Sequence, residues 1–313
     1  MEPLSPDAGR LVSATHPFRS CFKPTTAFPI LMKQFLWQWG AELRKMLARK
    51  RTFLGFGAFL ALEAILLVVF QLDGVERFFR RMISTQGESF DSYFSALTLA
   101  YLVVRMAIFL LGGIYLTLVA GDVVAKESED GNLRLLLTRP ISRTRLLAIK
   151  FASCLVYCFV LIQFIAWSAL LLGVIVRGWG GGLFAFAPEQ EFMAFYDARE
   201  GLWRYALSTI TLSVSMSMAC CIAFFFSCWR IKPSAATITA LSYLFLDMIL
   251  RESGFMHNYR HLLITHYMNV WSMVLFENIP WAVILRHYAI LAGIGLTLFV
   301  AGAAIFESRD LKS

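Results

Sequence analysis

The chain has 313 residues, 58% of them hydrophobic and only 16% charged, with a mean hydropathy of +0.64. A soluble protein of this size carries about 25% charged residues, so the composition excludes a soluble globular domain and indicates a polytopic membrane protein. The net charge of +8 lies in clusters beside apolar runs, where it records topology and excludes a nucleic-acid-binding face.

Residues 1–31 are polar and rich in Pro, Ser and Thr, and lack the apolar core of a signal peptide. They read as a disordered tail, with Met32 offering a natural start to a single transmembrane domain over 32–313. Residues 33–51 predict an amphipathic helix. Phe35, Leu36, Trp39, Leu43, Met46 and Leu47 recur at spacings of three and four, while Lys33, Glu42, Lys45 and Arg49 take other faces. Trp37 and Trp39 suit the headgroup level, and Arg49-Lys50-Arg51 suits anionic membrane lipid.

Six apolar spans follow, at about 53–72, 96–120, 148–176, 205–228, 234–250 and 287–306, each near the roughly 20 residues a bilayer requires. The fold expected is therefore all-α. The third span is long enough to tilt or project. The fifth is short and holds Asp247. Glu63 and Arg105 each stand about ten residues into spans one and two, from opposite ends, which at 1.5 Å per residue is near mid-membrane. A lone charge there costs at least about 2.5–3.5 kcal/mol, which favours a structural Glu63–Arg105 pair. A substrate or gating role, or no contact at all, are the alternatives.

Between spans two and three runs a densely charged stretch, Gly121 to Lys150. Asp130-Gly131 is turn-prone, and Asp130 suits a helix cap. Asn132 to Thr138 allows two helical turns with Leu133, Leu136 and Leu137 on one side. Pro140 stops that helix, and Ser142 is a good N-cap for the next. The order of Glu127, Glu129, Gly131, Leu133, Leu136, Leu137, Pro140, Ser142, Arg143 and Lys150 resembles the cytoplasmic loop of ABC-2 type transporter permeases. Asn132 departs from the Thr common there.

That resemblance implies a coupling helix resting on a separate ATP-binding subunit. Glu127, Glu129 and Asp130 would meet bases on the ATPase, and the three leucines would fill its groove. Arg139, Arg143, Arg145 and Lys150 would stay near the headgroups. It further implies two permease subunits, identical or related, an export function, and ATP and Mg bound by the partner chain rather than here. The amphipathic helix, a short segment before the last span and the charged end at Phe306 to Asp310 also resemble that family.

Lys and Arg in the short flanks set orientation. With the N-terminus inside, the inner flanks hold sixteen and the outer loops nine, which places both termini in the cytoplasm of a plasma (inner) membrane protein. Of the outer loops, 178–204 opens with Gly-Trp-Gly-Gly-Gly and predicts a flexible turn bearing surface aromatics. Residues 251–286 predict short re-entrant or interfacial helices.

No catalytic constellation is present. The chain has no Gly-Lys dipeptide, so a GxxxxGK[ST] phosphate loop is excluded, and neither HExxH nor GxSxG occurs. His257 and His261 stand four apart, yet ordinary interfacial histidines are the expected reading, with no metal site. Cys154, Cys158, Cys220, Cys221 and Cys228 read as small buried thiols. Gly112-Gly113 and the run Ser213, Ser215, Ser217, Ala219 suit close helix packing, with a pathway lining as the sharper alternative. A membrane-embedded enzyme built on the outer histidines and a secondary transporter built on Glu63 and Arg105 are the alternatives to a permease.

Overall fold

The computed structural model describes residues 27–131, 142–187 and 192–308. Hydrocarbon offers no partner to backbone N–H and C=O groups, so each apolar run satisfies its own as a helix. Helix α1 spans Ala27–Leu47 and α2 Lys50–Phe70, separated at Arg49, whose extended backbone breaks the helix. The break falls inside the segment expected to be one helix over 33–51, and residues 27–31, expected in the tail, are helical. Helices α3 (Asp73–Thr85) and α4 (Phe90–Tyr93) follow. Helix α5 (Ala96–Ala107) runs through a π turn (Ile108–Gly112) into α6 (Gly113–Glu129).

Helix α7 (Arg143–Arg177) has 35 residues. At 1.5 Å each that is about 52 Å, so it exceeds a roughly 30 Å hydrocarbon core, as its long apolar run predicts. Strands β1 (Leu183–Ala187) and β2 (Phe192–Tyr196) pair antiparallel, Leu183 opposite Tyr196 and Ala187 opposite Phe192. Helices α8 (Ala198–Ser227) and α9 (Pro233–Glu252) come next. Then come a 3-10 turn (Gly254–Leu262), α10 (Ile264–Met268), a second 3-10 turn (Asn269–Leu275) and α11 (Trp281–Glu307). Among the described residues six helices are long and apolar enough to cross a membrane: α2, α5 with α6, α7, α8, α9 and α11. The protein is an all-α polytopic membrane protein, with one small hairpin among the described residues.

The centre of the bundle is where α5 and α6 pack against α7 and α8. Ala100, Ala107, Ala166 and Ala169 are buried there and let backbones approach. At Gly173 an added Cβ would lie 2.8 Å from the Ala96 carbonyl oxygen, so only glycine fits that approach. Ser213 accepts from the Gln163 amide at 3.1 Å, and Ser215 lies 3.1 Å from the Tyr288 hydroxyl. The buried serines of that run hold helices together, while Ser217 bonds only its own helix. The five cysteines of the spans are buried free thiols.

The hairpin replaces the flexible surface turn expected for 178–204. It is stitched to the start of α5. Ser95 caps that helix, accepting from Leu97 N–H at 3.1 Å, and donates to the Gly182 carbonyl at 2.6 Å. Phe184 N–H donates to Thr98 Oγ1 at 2.8 Å. Gly181 has φ +83°, and a Cβ on Gly182 would sit 2.3 Å from the Tyr196 carbonyl oxygen. The glycine run thus serves a tight, fixed corner. Beside it the buried Arg204 donates to the carbonyls of Val274, Phe276 and Glu277, locking the 269–275 turn over α8. The segment 254–275 forms the short helices its sequence predicts.

Candidate functional site

The end of the bundle opposite the hairpin gathers charge. Glu42, Lys45 and Arg49 stand on one side of α1 and its exit, at spacings of three and four that place them on one helical face. Glu127 lies in the last turn of α6, and Lys150 two turns into α7. Lys150 Nζ sits 2.7 Å from Glu42 Oε1 and 2.6 Å from Glu127 Oε2. Lys45 also pairs with Glu127, and Arg49 reaches its Oε1 at 3.3 Å. Lys150 is 0% exposed and Glu127 2%.

This arrangement corrects two expectations. Glu127 does not face outward toward a partner's bases; its carboxylate is filled by Lys45, Arg49 and Lys150 of its own chain. Lys150 is not a headgroup residue; it is enclosed between two carboxylates. The physical reason is shared. Charge this close to apolar packing leaves water only with partners, and the α1 stripe supplies them. Three bases and two acids leave the cluster with one net positive charge. Its consequence is mechanical: α1, α6 and α7 are tied at one point, just where the chain leaves α6 and enters α7.

Around that point the loop emerges. Glu129 and Asp130 are exposed, and Gly131 adopts φ +72°, the left-handed residue that ends a helix. Leu133, Leu136, Leu137 and Pro140 lie outside the described residues. Ser142 caps α7 by accepting from Arg145 N–H at 3.4 Å. Arg143 donates to the Glu307 carbonyl at 3.2 Å, joining the start of α7 to the end of α11. Ser227, near the end of α8, accepts from Val124 N–H at 3.1 Å and Ala125 N–H at 2.9 Å of α6.

The structure does not bring Glu63 and Arg105 together. Glu63 is fully buried, and one carboxylate oxygen accepts from Ser168 of α7 at 3.0 Å. Arg105 donates to the Phe186 carbonyl at 2.6 Å and to Tyr101 at 3.2 Å. Each charge found polar groups on a different neighbour, because the hairpin folds onto α5 and α7 packs along α2. Asp247, the acid within span five, is buried and accepts from Ile264 N–H at 3.2 Å and Thr265 N–H at 2.7 Å. It caps α10.

Sequence reading named Glu127 and Lys150 but missed Glu42, Lys45 and Arg49 as their partners. The stripe spacing was visible; its target was not. Ser168, Ser227 and the capping role of Asp247 carried no local signal. Among the histidines, the rings of His266 and His287 meet edge to face at 5.7 Å. Among the described residues no three His, Cys, Asp or Glu side chains gather as metal ligands would.

A family model described as ABC-2 family transporter protein matches residues 40–247 of the chain. The segment 40–247 includes the whole charged cluster. A stretch of 72 residues is 33% identical to the "Uncharacterized protein YhcI" of Bacillus subtilis (strain 168). That match covers 23% of this chain and 23% of the relative, so it spans less than a quarter of either protein.

Proposed function

Because the chain belongs to the ABC-2 transporter family, we propose that it is the permease subunit of an ATP-driven exporter, with ATP and Mg held by a separate ATP-binding subunit. The observation that carries the reading is the buried Glu127–Lys150 cluster. It makes α1, α6 and α7 one mechanical unit at the ends of the 130–142 loop. In this reading Leu133, Leu136 and Leu137 seat on the ATPase, with the exposed Glu129 and Asp130 beside them. Closure of the ATPases pushes the loop. The cluster passes that push into α6, α7 and the interfacial helix together, so the spans shift as a body instead of fraying at their ends. The Lys and Arg bias supports placing this end, and both termini, in the cytoplasm of a plasma (inner) membrane protein. A second permease subunit, identical or related, completes the pathway, with membrane lipids around it.

The absence of a Gly-Lys dipeptide from the sequence supports assigning hydrolysis to another chain. The secondary-transporter alternative loses its charge pair, since Glu63 and Arg105 have separate partners. The test is association. The purified chain is expected to bring an ATP-binding subunit with it, and Leu136→Asp or Asp130→Lys is expected to leave the protein inserted but release that subunit. Intact assembly and transport in both variants would refute the assignment of the contact. Purification without any ATPase would refute the permease reading itself.

A further inference from the structure

The inward stripe of α2 is apolar except at its centre. Phe59, Glu63, Leu67 and Phe70 recur at spacings of four and three, and all are buried. Among the described residues Glu63 makes no ion pair. Its one hydrogen bond joins Oε1 to Ser168 of α7, and its Oε2 is buried with no partner. The elements packed on α2 bring no charge to it. Arg105 of α5 bonds the hairpin. Helix α7 carries charge only toward its ends, at Arg143, Arg145, Lys150 and Arg177. Helices α1 and α3 flank α2 in sequence and bring Lys45 and Arg49, or Asp73 and Glu76, to its two ends. Tyr205 of α8 is the titratable group within electrostatic reach, and its hydroxyl donates to the Ala166 carbonyl at 2.6 Å instead.

The protons around Ser168 can be counted. Its Oγ lies 2.7 Å from the Phe164 carbonyl oxygen and 3.0 Å from Glu63, whichever of the last two donates. A hydroxyl has one proton to give and two lone pairs to receive. If Glu63 is an anion, Ser168 turns its proton away from Phe164, and Oε2 stays enclosed as part of an unanswered charge. If Glu63 is an acid, its O–H donates to Ser168 Oγ, and the Ser168 proton goes on to Phe164. Only a neutral carbonyl oxygen then lacks a partner. A carboxylate this enclosed costs so much that it neutralises.

We propose that Glu63 is a proton-binding site within the membrane: it carries a proton while α2 packs on α7 and gives it to water when those helices part. The step is an acid dissociation. The Glu63 O–H bond breaks, its electron pair stays on the carboxylate, and the proton leaves on water; repacking reverses it. That the helices part in a transport cycle rests on the permease reading, whereas the protonated packed state does not. Linkage sets the sign. The packed state holds one more proton, so the α2–α7 contact is strongest in acid and weakens as pH rises.

The permease with its ATPase, in lipid nanodiscs, is followed by infrared difference spectroscopy against pH. The C=O band of a protonated carboxyl group is expected at about pH 7, well above the roughly 4.3 of a free glutamic acid. Glu63→Gln should remove it. Ser168→Ala should keep it and move it to higher frequency, because its hydrogen-bond partner is gone. Spin labels at Ile65→Cys and Leu171→Cys, both exposed positions on α2 and α7, should move apart as the band disappears in alkali. Glu63→Gln keeps the shape of the neutral acid and should hold the labels together at every pH. A spectrum without the band at neutral pH, a band that survives Glu63→Gln, or one unmoved by Ser168→Ala overturns the proposed site. Labels that stay in place while the band titrates overturn its link to the helix contact. A missing band with the ATPase still attached sinks this inference alone and leaves the permease reading standing.

Discussion

Replacing Lys150 by Met keeps the buried stem and removes the ammonium. Glu42 then loses its bond to Lys150, and Glu127 keeps only Lys45 and Arg49. Those two are 44% and 27% exposed, so water weakens what they return. Breaking one side of a buried ion pair costs about 3–5 kcal/mol. At roughly 2–4 °C per kcal/mol that lowers the unfolding midpoint by on the order of 6–20 °C. Glu127→Gln should cost a similar amount, since it leaves Lys150 with Glu42 alone. The double variant removes both members of the pair, and its loss should fall short of the sum by about 1–3 kcal/mol. The assay is thermal unfolding of the four proteins in one detergent, followed by tryptophan fluorescence. Additive losses to within about 0.5 kcal/mol, or a Lys150→Met protein as stable as the parent, would refute the claim that this cluster ties α1, α6 and α7.

Three further outcomes are expected. Asp247→Ala should cost about 1–3 kcal/mol by stranding two backbone N–H groups, and hydrogen exchange at Ile264 and Thr265 should rise; unchanged exchange would rule out the cap. Glu63→Ala and Arg105→Ala should be additive in stability, since the two side chains bond different neighbours, and a coupling above about 1 kcal/mol would show that they share an interaction. His266 has its pKa pushed below the usual histidine value, first by burial and then by His287, Arg251, Arg260 and His261. The folded state therefore prefers neutral imidazole. Its contribution is complete above the unfolded value near 6.5 and is lost as pH falls through and below it, so His266→Gln should flatten the acid side of the stability profile in a thermal-shift series.

What the chain's residues settled alone is the bilayer-crossing framework. Six apolar runs, a charged loop with Gly131 and Ser142 at its edges, and a three-and-four stripe before the first span follow from periodicity and capping, which are properties of neighbours in sequence. The helix ends, the π turn and the hairpin were harder to read, because Phe184 and Phe186 alternate with alanines over too few residues to outweigh the glycine run before them. Partnership belonged wholly to the tertiary structure. Glu127 was legible as important, yet two of its three mates lie 78 and 82 positions earlier in the chain. Likewise nothing near Glu63 announces Ser168, or near Asp247 announces Ile264. A buried charge takes whichever polar group packing brings within about 3 Å, and packing is decided by whole helices meeting. Local pattern fixes where a charge sits along its own helix; only the assembled bundle fixes what it faces.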